Sequence, residues 1–141
     1  MLPSAYTYLS RQFLEAVARR GLGDQITLKE WRRGTVNEES GWTYHAKGIW
    51  VTLPGETDIG PSVSVVGSSN YTKRAYGLDL EANVAMVTTD PVLMKRLKEE
   101  EEWLQEHTQQ MTREDYRKPE RKVSWQVRAA MWIVTALGGA L

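Results

Sequence analysis

The spacing of apolar and polar residues divides the chain into helical and strand-like stretches. Near residues 5–20, apolar side chains recur at helical spacing between charged ones, and Gly21 and Gly23 follow, which predicts a first helix that ends there. Four later stretches are apolar and rich in β-branched or aromatic residues, which predicts strands over 26–31, 42–53, 62–66 and 78–88. The turn-forming residues 54–61 connect the second and third of these as a hairpin.

The last third of the chain is more polar and returns to a helical pattern. Asp90 and Pro91 are typical of a helix start, and Leu93, Leu97 and Leu104 fall on one side of the helix they begin. A charged stretch with Pro119 follows at 111–122, and the tail 123–141 is amphipathic at first and then almost wholly apolar. The predicted order is therefore α-β-β-β-β-α-linker-α, which indicates an α/β fold.

Composition narrows the kinds of site that the chain can carry. Its 141 residues suit one compact domain, and 18 basic residues balance 18 acidic ones, so no overall field favours nucleic acid as a partner. There is no cysteine and there are two histidines, far apart in sequence, so we expect no disulfide and no metal site. The first residues lack the pattern of a secretory signal or a transit peptide.

His45 and Lys47 stand out in the predicted strand 42–53. Side chains two apart on a strand point to the same face, so this pair predicts a phosphate-cleaving unit in which an imidazole attacks phosphorus beside an ammonium. A strand-start histidine next to a surface lysine is the simpler interpretation of the pair alone. His107 lies in an acidic stretch with no lysine two residues on, and we expect it to be a solvated helix residue.

Two further features lie after the next strand. The loop that begins at Gly67 carries Ser68 and Asn70, whose hydroxyl and amide suit phosphate oxygens, although ordinary turns have the same composition. Glu81 places a carboxylate in an otherwise apolar stretch, where it requires a partner; an imidazole held in one tautomer is one candidate and a surface base is the other.

Together, His45, Lys47, Ser68, Asn70 and Glu81 resemble one catalytic half of the phospholipase D superfamily. The resemblance implies a half-domain with a twisted mixed sheet flanked by helices, no cofactor, and a second His-x-Lys motif from elsewhere. It assigns His45 as nucleophile or general acid, Lys47, Ser68 and Asn70 to the phosphoryl oxygens, and Glu81 to orienting His45. The superfamily's usual aspartate after this motif is replaced by Thr52.

A wider set of segments resembles the C-terminal part of the mitochondrial phosphatidylglycerophosphate synthases: 6–9, 30–31, 41–50, 67–76 and 78–83. This family lacks the aspartate in its second motif, which agrees with the threonine at position 52 here. The resemblance implies transfer of a phosphatidyl group from CDP-diacylglycerol to glycerol 3-phosphate in the pathway to cardiolipin, on the mitochondrial inner membrane. It also implies that residues 1–110 form a catalytic half-domain, which the charged linker at 111–122 and the amphipathic to apolar C-terminal helix at 123–141 follow.

The sequence leaves three questions open, namely the source of the second motif, the function of the chain and the packing of its tail. The missing motif belongs either to an absent N-terminal half or to a second identical subunit. The alternatives to a phosphatidyltransferase are a dimeric single-motif phosphodiesterase and an inactive fragment that binds phosphate or lipid. The apolar tail is too short to span a bilayer, and it packs either on a membrane surface, through Trp125, Arg128 and Trp132, or on the protein's own sheet.

Overall fold

The computed structural model describes residues 2–36 and 38–136, with the side chains of residues 2 and 3 left aside. Three strands follow the first helix, helices and strands then alternate, and two short 3-10 turns precede the last helix. The helices are α1 (Leu2–Arg19), α2 (Lys73–Gly77), α3 (Pro91–Gln105) and α4 (Trp125–Ala136). The strands are β1 (Leu28–Trp31), β2 (Gly48–Val51), β3 (Val63–Gly67), β4 (Asn83–Val87) and β5 (Thr108–Met111).

The α/β class is confirmed, but the prediction of one mixed sheet is wrong. The described strands form two small sheets, one pairing β1 with β5 and the other in the order β2-β3-β4. In the second sheet β2 pairs antiparallel with β3, and β3 antiparallel with β4. The predicted hairpin accounts for the first pairing, because a connection of this length returns the chain beside the strand it has just left.

The described residues cluster into two compact units. One contains the residues up to Glu30 together with those from Thr108 onward, and the other contains Trp31–His107. The predicted division of the chain at 110 and 122 stays a prediction. The segment 111–122 itself holds the two 3-10 turns, Asp115–Arg117 and Pro119–Arg121.

The first unit has a small core centred on Tyr116. This side chain is 2% exposed and packs with Leu14 and Met111. Its hydroxyl donates a hydrogen bond to the carboxylate of Glu30, which also binds both terminal nitrogens of Arg121, at 2.8 and 2.9 Å. Burial raises the pKa of Glu30, but the hydrogen bonds from Arg121 and Tyr116 outweigh it and leave that pKa below its ordinary value.

The two longest helices were predicted well from the sequence. In α3 the Asp90 side chain accepts a hydrogen bond from the backbone N–H of Val92 at 2.8 Å, which caps the helix before Pro91. Leu97 is buried, as the apolar pattern predicts. In α1 the buried positions are Leu14 and Val17, whereas Phe13 is 45% exposed.

The C-terminal helix α4 occupies part of the predicted tail, and residues 137–141 lie outside the described residues. Met131 is buried in it, and the helix packs against α1. Among the described residues, no helix has the length and apolar character needed to cross a membrane.

Candidate active site

The predicted motifs meet at one end of the three-stranded sheet. Because the strands are antiparallel, the start of β2, the end of β3 and the start of β4 lie side by side there, with Gly48 opposite Val66 and Gly67 opposite Asn83. The His45-x-Lys47 segment immediately precedes β2, the loop 68–72 follows β3, and Glu81 lies two residues before β4. Hairpin topology thus brings residues from three distant parts of the sequence to this end of the sheet, which we call the sheet edge.

The basic pair is in contact, although not by the route that the strand pattern predicts. Residues 41–47 have no regular secondary structure, so the expected strand from 42 is wrong over its first half. The side chains of His45 and Lys47 nevertheless turn toward each other, with 2.9 Å between Lys47 Nζ and His45 Nε2. An ammonium has only donors, so in this contact Nε2 is the acceptor, which the tautomer with its proton on Nδ1 allows.

A glycine joins this pair to the loop that follows β3. The backbone N–H of Gly67 donates to the carbonyl of Lys47 at 3.5 Å. A side chain at position 67 would run into the carbonyl oxygen of Ala82 and the amide oxygen of Asn83. Only glycine therefore lets the end of β3 lie this close to the start of β4.

The loop itself is held by its own hydroxyl groups. Ser68 Oγ donates to the carboxylate of Glu81 and accepts from the backbone N–H of Ala82 at 3.0 Å. Ser69 is buried, and its hydroxyl accepts from the backbone N–H of Tyr71 at 3.1 Å. Tyr71 has a φ of +54°, a left-handed conformation that is uncommon for a non-glycine residue and that often marks a functional loop.

Glu81 thus has a partner other than the one expected from the resemblance. Its carboxylate binds Ser68, and no hydrogen bond or ion pair in the described part of the chain joins it to His45. Asn70 is exposed at the tip of the same loop, and Thr52 lies just beyond the opposite end of β2. The contacts tie Glu81 to the loop, and its orienting action on His45 stays a prediction.

The expectation for His107 is wrong. Helix α3 ends at Gln105, and the His107 ring packs edge-on against Trp31, with 5.9 Å between ring centroids. Trp31 in turn stacks on Tyr44 at 5.0 Å, and burial raises the pKa of the Tyr44 phenol above its ordinary value of 10.0. A chain of three packed rings therefore runs from His107 to the residue next to His45.

A cavity of about 220 Å³ lies beside His45, and sequence reasoning missed it. Its walls are aromatic and carry a few polar groups; they include Trp31, Trp42, Tyr44, Trp103 and both histidines. These residues come from three separate segments, of which only the one around His45 has a recognisable pattern. The abundance of tryptophan, six in the whole chain, is the one sequence signal that pointed toward such a site.

Comparison with known proteins gives one consistent set of relatives. The CDP-diacylglycerol–glycerol-3-phosphate 3-phosphatidyltransferase of Saccharomyces cerevisiae is 47% identical over 137 residues, which cover 94% of this chain and 26% of the yeast protein. The mitochondrial enzymes of that name from Mus musculus and Homo sapiens are 36% and 34% identical over 128 residues, 90% of this chain and 22% and 21% of theirs. No family model matches the chain, and no solved structure is significantly similar to it.

The chain therefore spans about a quarter of the length of the relatives it matches. The aligned region takes in nine-tenths of this chain, so it includes most of the sheet edge described above. By this similarity, the chain is homologous to one part of the CDP-diacylglycerol–glycerol-3-phosphate 3-phosphatidyltransferases.

Proposed function

We propose that this chain is part of an enzyme that transfers a phosphatidyl group from CDP-diacylglycerol to glycerol 3-phosphate, releasing CMP. The observation that carries the proposal is the contact between His45 and Lys47 at the sheet edge where the Ser68–Glu81 pair also lies. The activity in the names of the homologues supplies the substrates. The phospholipase D-like half-domain belongs to the same proposal.

His45 is the reacting group in this proposal. As nucleophile, its Nε2 forms a bond to the phosphorus that carries diacylglycerol, while the bond from that phosphorus to the bridging oxygen of CMP breaks. CMP leaves with the electron pair and takes a proton from a second imidazole. The hydroxyl of glycerol 3-phosphate then attacks the same phosphorus, returns a proton to the second imidazole and restores His45. As general acid, His45 exchanges roles with the second imidazole.

In this proposal Lys47 controls when the imidazole of His45 is free to attack phosphorus. In the free protein its ammonium binds Nε2, the atom that has to attack. A phosphate group at the sheet edge offers the ammonium a negatively charged acceptor, and the transfer of Lys47 to it exposes the Nε2 lone pair. Asn70 and the Ser68 hydroxyl bind further phosphoryl oxygens, and Glu81 holds the serine in place.

The second imidazole has to come from outside the described residues. Among these, only His45 is followed by a lysine two positions on, since Gln109 takes that position after His107. The proposed source is another part of the complete enzyme, because the relatives are about four times longer than the aligned region. A second copy of the chain is the alternative source, and the size of the active species distinguishes the two.

The test of the proposed function is a CMP-release assay with CDP-diacylglycerol and glycerol 3-phosphate. We expect the complete enzyme that contains this chain to release one CMP for each phosphatidylglycerophosphate formed, and the 141-residue chain as a monomer to be inactive. Without glycerol 3-phosphate the release should stop after a single turnover. Rapid turnover by a demonstrated monomer of this chain would contradict the proposal.

The proposed membrane contact is the outer side of α4. Trp125 and Trp132 lie two turns apart on it and are 75% and 71% exposed, and Ile133 is half exposed. A cavity of about 550 Å³ in the same unit has four basic side chains on its walls, Arg11, Arg117, Lys122 and Arg128, against the single carboxylate of Glu15. Exposed tryptophans beside basic groups suit an anionic lipid surface, and we place the enzyme peripherally on the mitochondrial inner membrane.

Trp125→Ser and Trp132→Ser together should weaken binding to vesicles that contain anionic lipid by on the order of tenfold, because the indole rings lose their place at the lipid interface. Vesicle sedimentation measures the bound fraction. Tyr76→Ala is the matched control, since Tyr76 is also 75% exposed but lies on α2. Equal binding by the double variant and the control would exclude α4 from the membrane contact.

A further inference from the structure

The aromatic cavity beside His45 has a size that selects its ligand. Its volume is about 220 Å³, below the roughly 300 Å³ at which sites for drug-sized ligands begin. An apolar protein cavity of about 150 Å³ holds one benzene molecule. The cavity therefore accommodates a single six-membered ring and leaves no room for a whole nucleotide or a long acyl chain.

The walls of the cavity offer flat surfaces to such a ring. Trp42 and Trp103 are 54% and 66% exposed, although large aromatic side chains are normally covered. Trp31 and Tyr44 are already stacked on each other, at 5.0 Å and 29° between ring planes, and so form a fixed part of the wall. Flat, exposed indoles next to a rigid aromatic pair are the arrangement on which nucleobases stack.

We propose that this cavity is the subsite for the pyrimidine ring of a cytosine nucleotide. The inference rests on the proposed function, in which CMP is the leaving group, and it assigns to this chain the recognition of the base. His45 and the neighbouring Ala46 belong to the cavity wall, so a base stacked inside has its phosphates directed to the sheet edge where His45 and Lys47 lie.

Charged groups at the cavity wall favour cytosine over other rings. Cytosine presents an amino group that donates and ring atoms that accept. Glu106 lies at the cavity wall, and a carboxylate is the usual acceptor for the cytosine amino group; Arg33 also lies there, with its guanidinium 4.4 Å from the centre of the Trp42 ring. Uracil replaces the amino group with a carbonyl oxygen, which the carboxylate of Glu106 repels.

The same charged groups argue against an acyl chain as the occupant. Arg33, Glu106 and both histidines contribute to walls that a hydrocarbon chain would have to desolvate without forming a hydrogen bond. The acyl chains of the substrate therefore lie elsewhere, and the membrane is the medium proposed for them.

Isothermal titration of the 141-residue chain with CMP and with UMP tests the subsite directly. We expect CMP to bind more tightly than UMP, and Trp103→Ala to weaken CMP binding between about 5-fold and 150-fold through the loss of one stacking surface. Trp103→Phe keeps a ring and should keep most of the affinity. Tyr6→Ala is the matched control, because Tyr6 is 64% exposed and lies outside the cavity.

Glu106→Gln tests whether the carboxylate of Glu106 recognises the amino group of cytosine. The neutral amide also donates hydrogen bonds, so the preference for CMP over UMP should shrink by on the order of tenfold. CDP-diacylglycerol in detergent micelles serves as a second probe, and competition with CMP shows whether the free nucleotide and the lipid headgroup share the cavity. Oleate is the probe for an acyl chain.

Three results would overturn the subsite: no binding of CMP, equal affinities for Trp103→Ala and Tyr6→Ala, or binding of oleate in place of CMP. These outcomes are separable from a failure of the proposed function. His45→Ala tests the function, because it should remove nearly all turnover in the complete enzyme, whereas Trp103→Ala tests the subsite through the affinity for CMP. A complete enzyme that turns over with His45 but whose cavity does not bind CMP refutes the subsite alone, and a chain that binds CMP in an enzyme without transferase activity refutes the function alone.

Discussion

Replacement of His45 by alanine should reduce turnover of the complete enzyme by on the order of 10⁴-fold, because neither covalent attack nor leaving-group protonation has a substitute. The Nε2 atom of His45 contacts Lys47 Nζ at 2.9 Å, so the atom proposed to attack phosphorus is already next to the group proposed to bind phosphate. The measurement is the rate of CMP release at saturating glycerol 3-phosphate. A His45→Ala enzyme with near-normal turnover would remove this histidine from the mechanism.

Variants of the neighbouring residues should reduce turnover by less than His45→Ala does. Lys47→Ala and Asn70→Ala should each cost about 10²–10³-fold in turnover, since each removes one group that stabilises charge on the transferring phosphoryl group. Glu81→Gln should cost less than His45→Ala. It weakens the acceptor for Ser68, or the orientation of the imidazole, but deletes no reacting atom. A loss as large as that of His45→Ala would place Glu81 among the reacting groups.

Replacement of Tyr116 by alanine should lower the free energy of unfolding by about 3–5 kcal/mol, the range for removal of a buried aromatic ring. The side chain is 2% exposed and is the centre of the core that includes Leu14 and Met111. Urea denaturation of the 141-residue chain measures the change. Phe13→Ala is the matched control, because Phe13 is 45% exposed on the same unit, and it should cost no more than about 0.5 kcal/mol.

Tyr116→Phe separates the ring from its hydroxyl and should cost about 1–2 kcal/mol, because Glu30 then loses one hydrogen bond. The pKa of Glu30 lies below its ordinary value of 4.5, so its ionised form stabilises the fold above that value. This contribution is lost as the pH falls through 4.5 toward the lowered pKa. Equal losses from Tyr116→Ala and Phe13→Ala would show that the first unit does not depend on this core.

Local patterns predicted the elements whose signals are contained in a few neighbouring residues. Asp90 and Pro91 mark the start of α3, and the turn residues 54–61 mark the hairpin of β2 and β3. Strand β5 was missed because Thr108-Gln-Gln-Met111 has weak strand propensity and forms by pairing with β1, which is distant in sequence. Tyr116 was overlooked because charged residues surround it in the sequence and only the tertiary structure shows that it is buried.

Some features of the site also follow from local sequence, and others are visible only in the tertiary structure. The approach of Lys47 to Gly67 follows from the hairpin, and the contact of His45 with Lys47 from their proximity in the chain. The cavity requires the segments around Trp31, Tyr44 and Trp103 to converge, and no local periodicity encodes that convergence. The partner of Glu81 was also beyond sequence reasoning, since a carboxylate in an apolar stretch indicates a need for a partner without identifying it.

Strand β4 has a consequence for the chain when it is separated from the rest of an enzyme. All five of its residues are exposed, with Val84 and Val87 at 65% and 76%, and in the described part of the chain it pairs on one side only, with β3. An apolar strand with free backbone N–H and C=O groups and no charge or proline is a template for strand addition between molecules. We therefore expect the isolated chain to self-associate through this strand as its concentration rises.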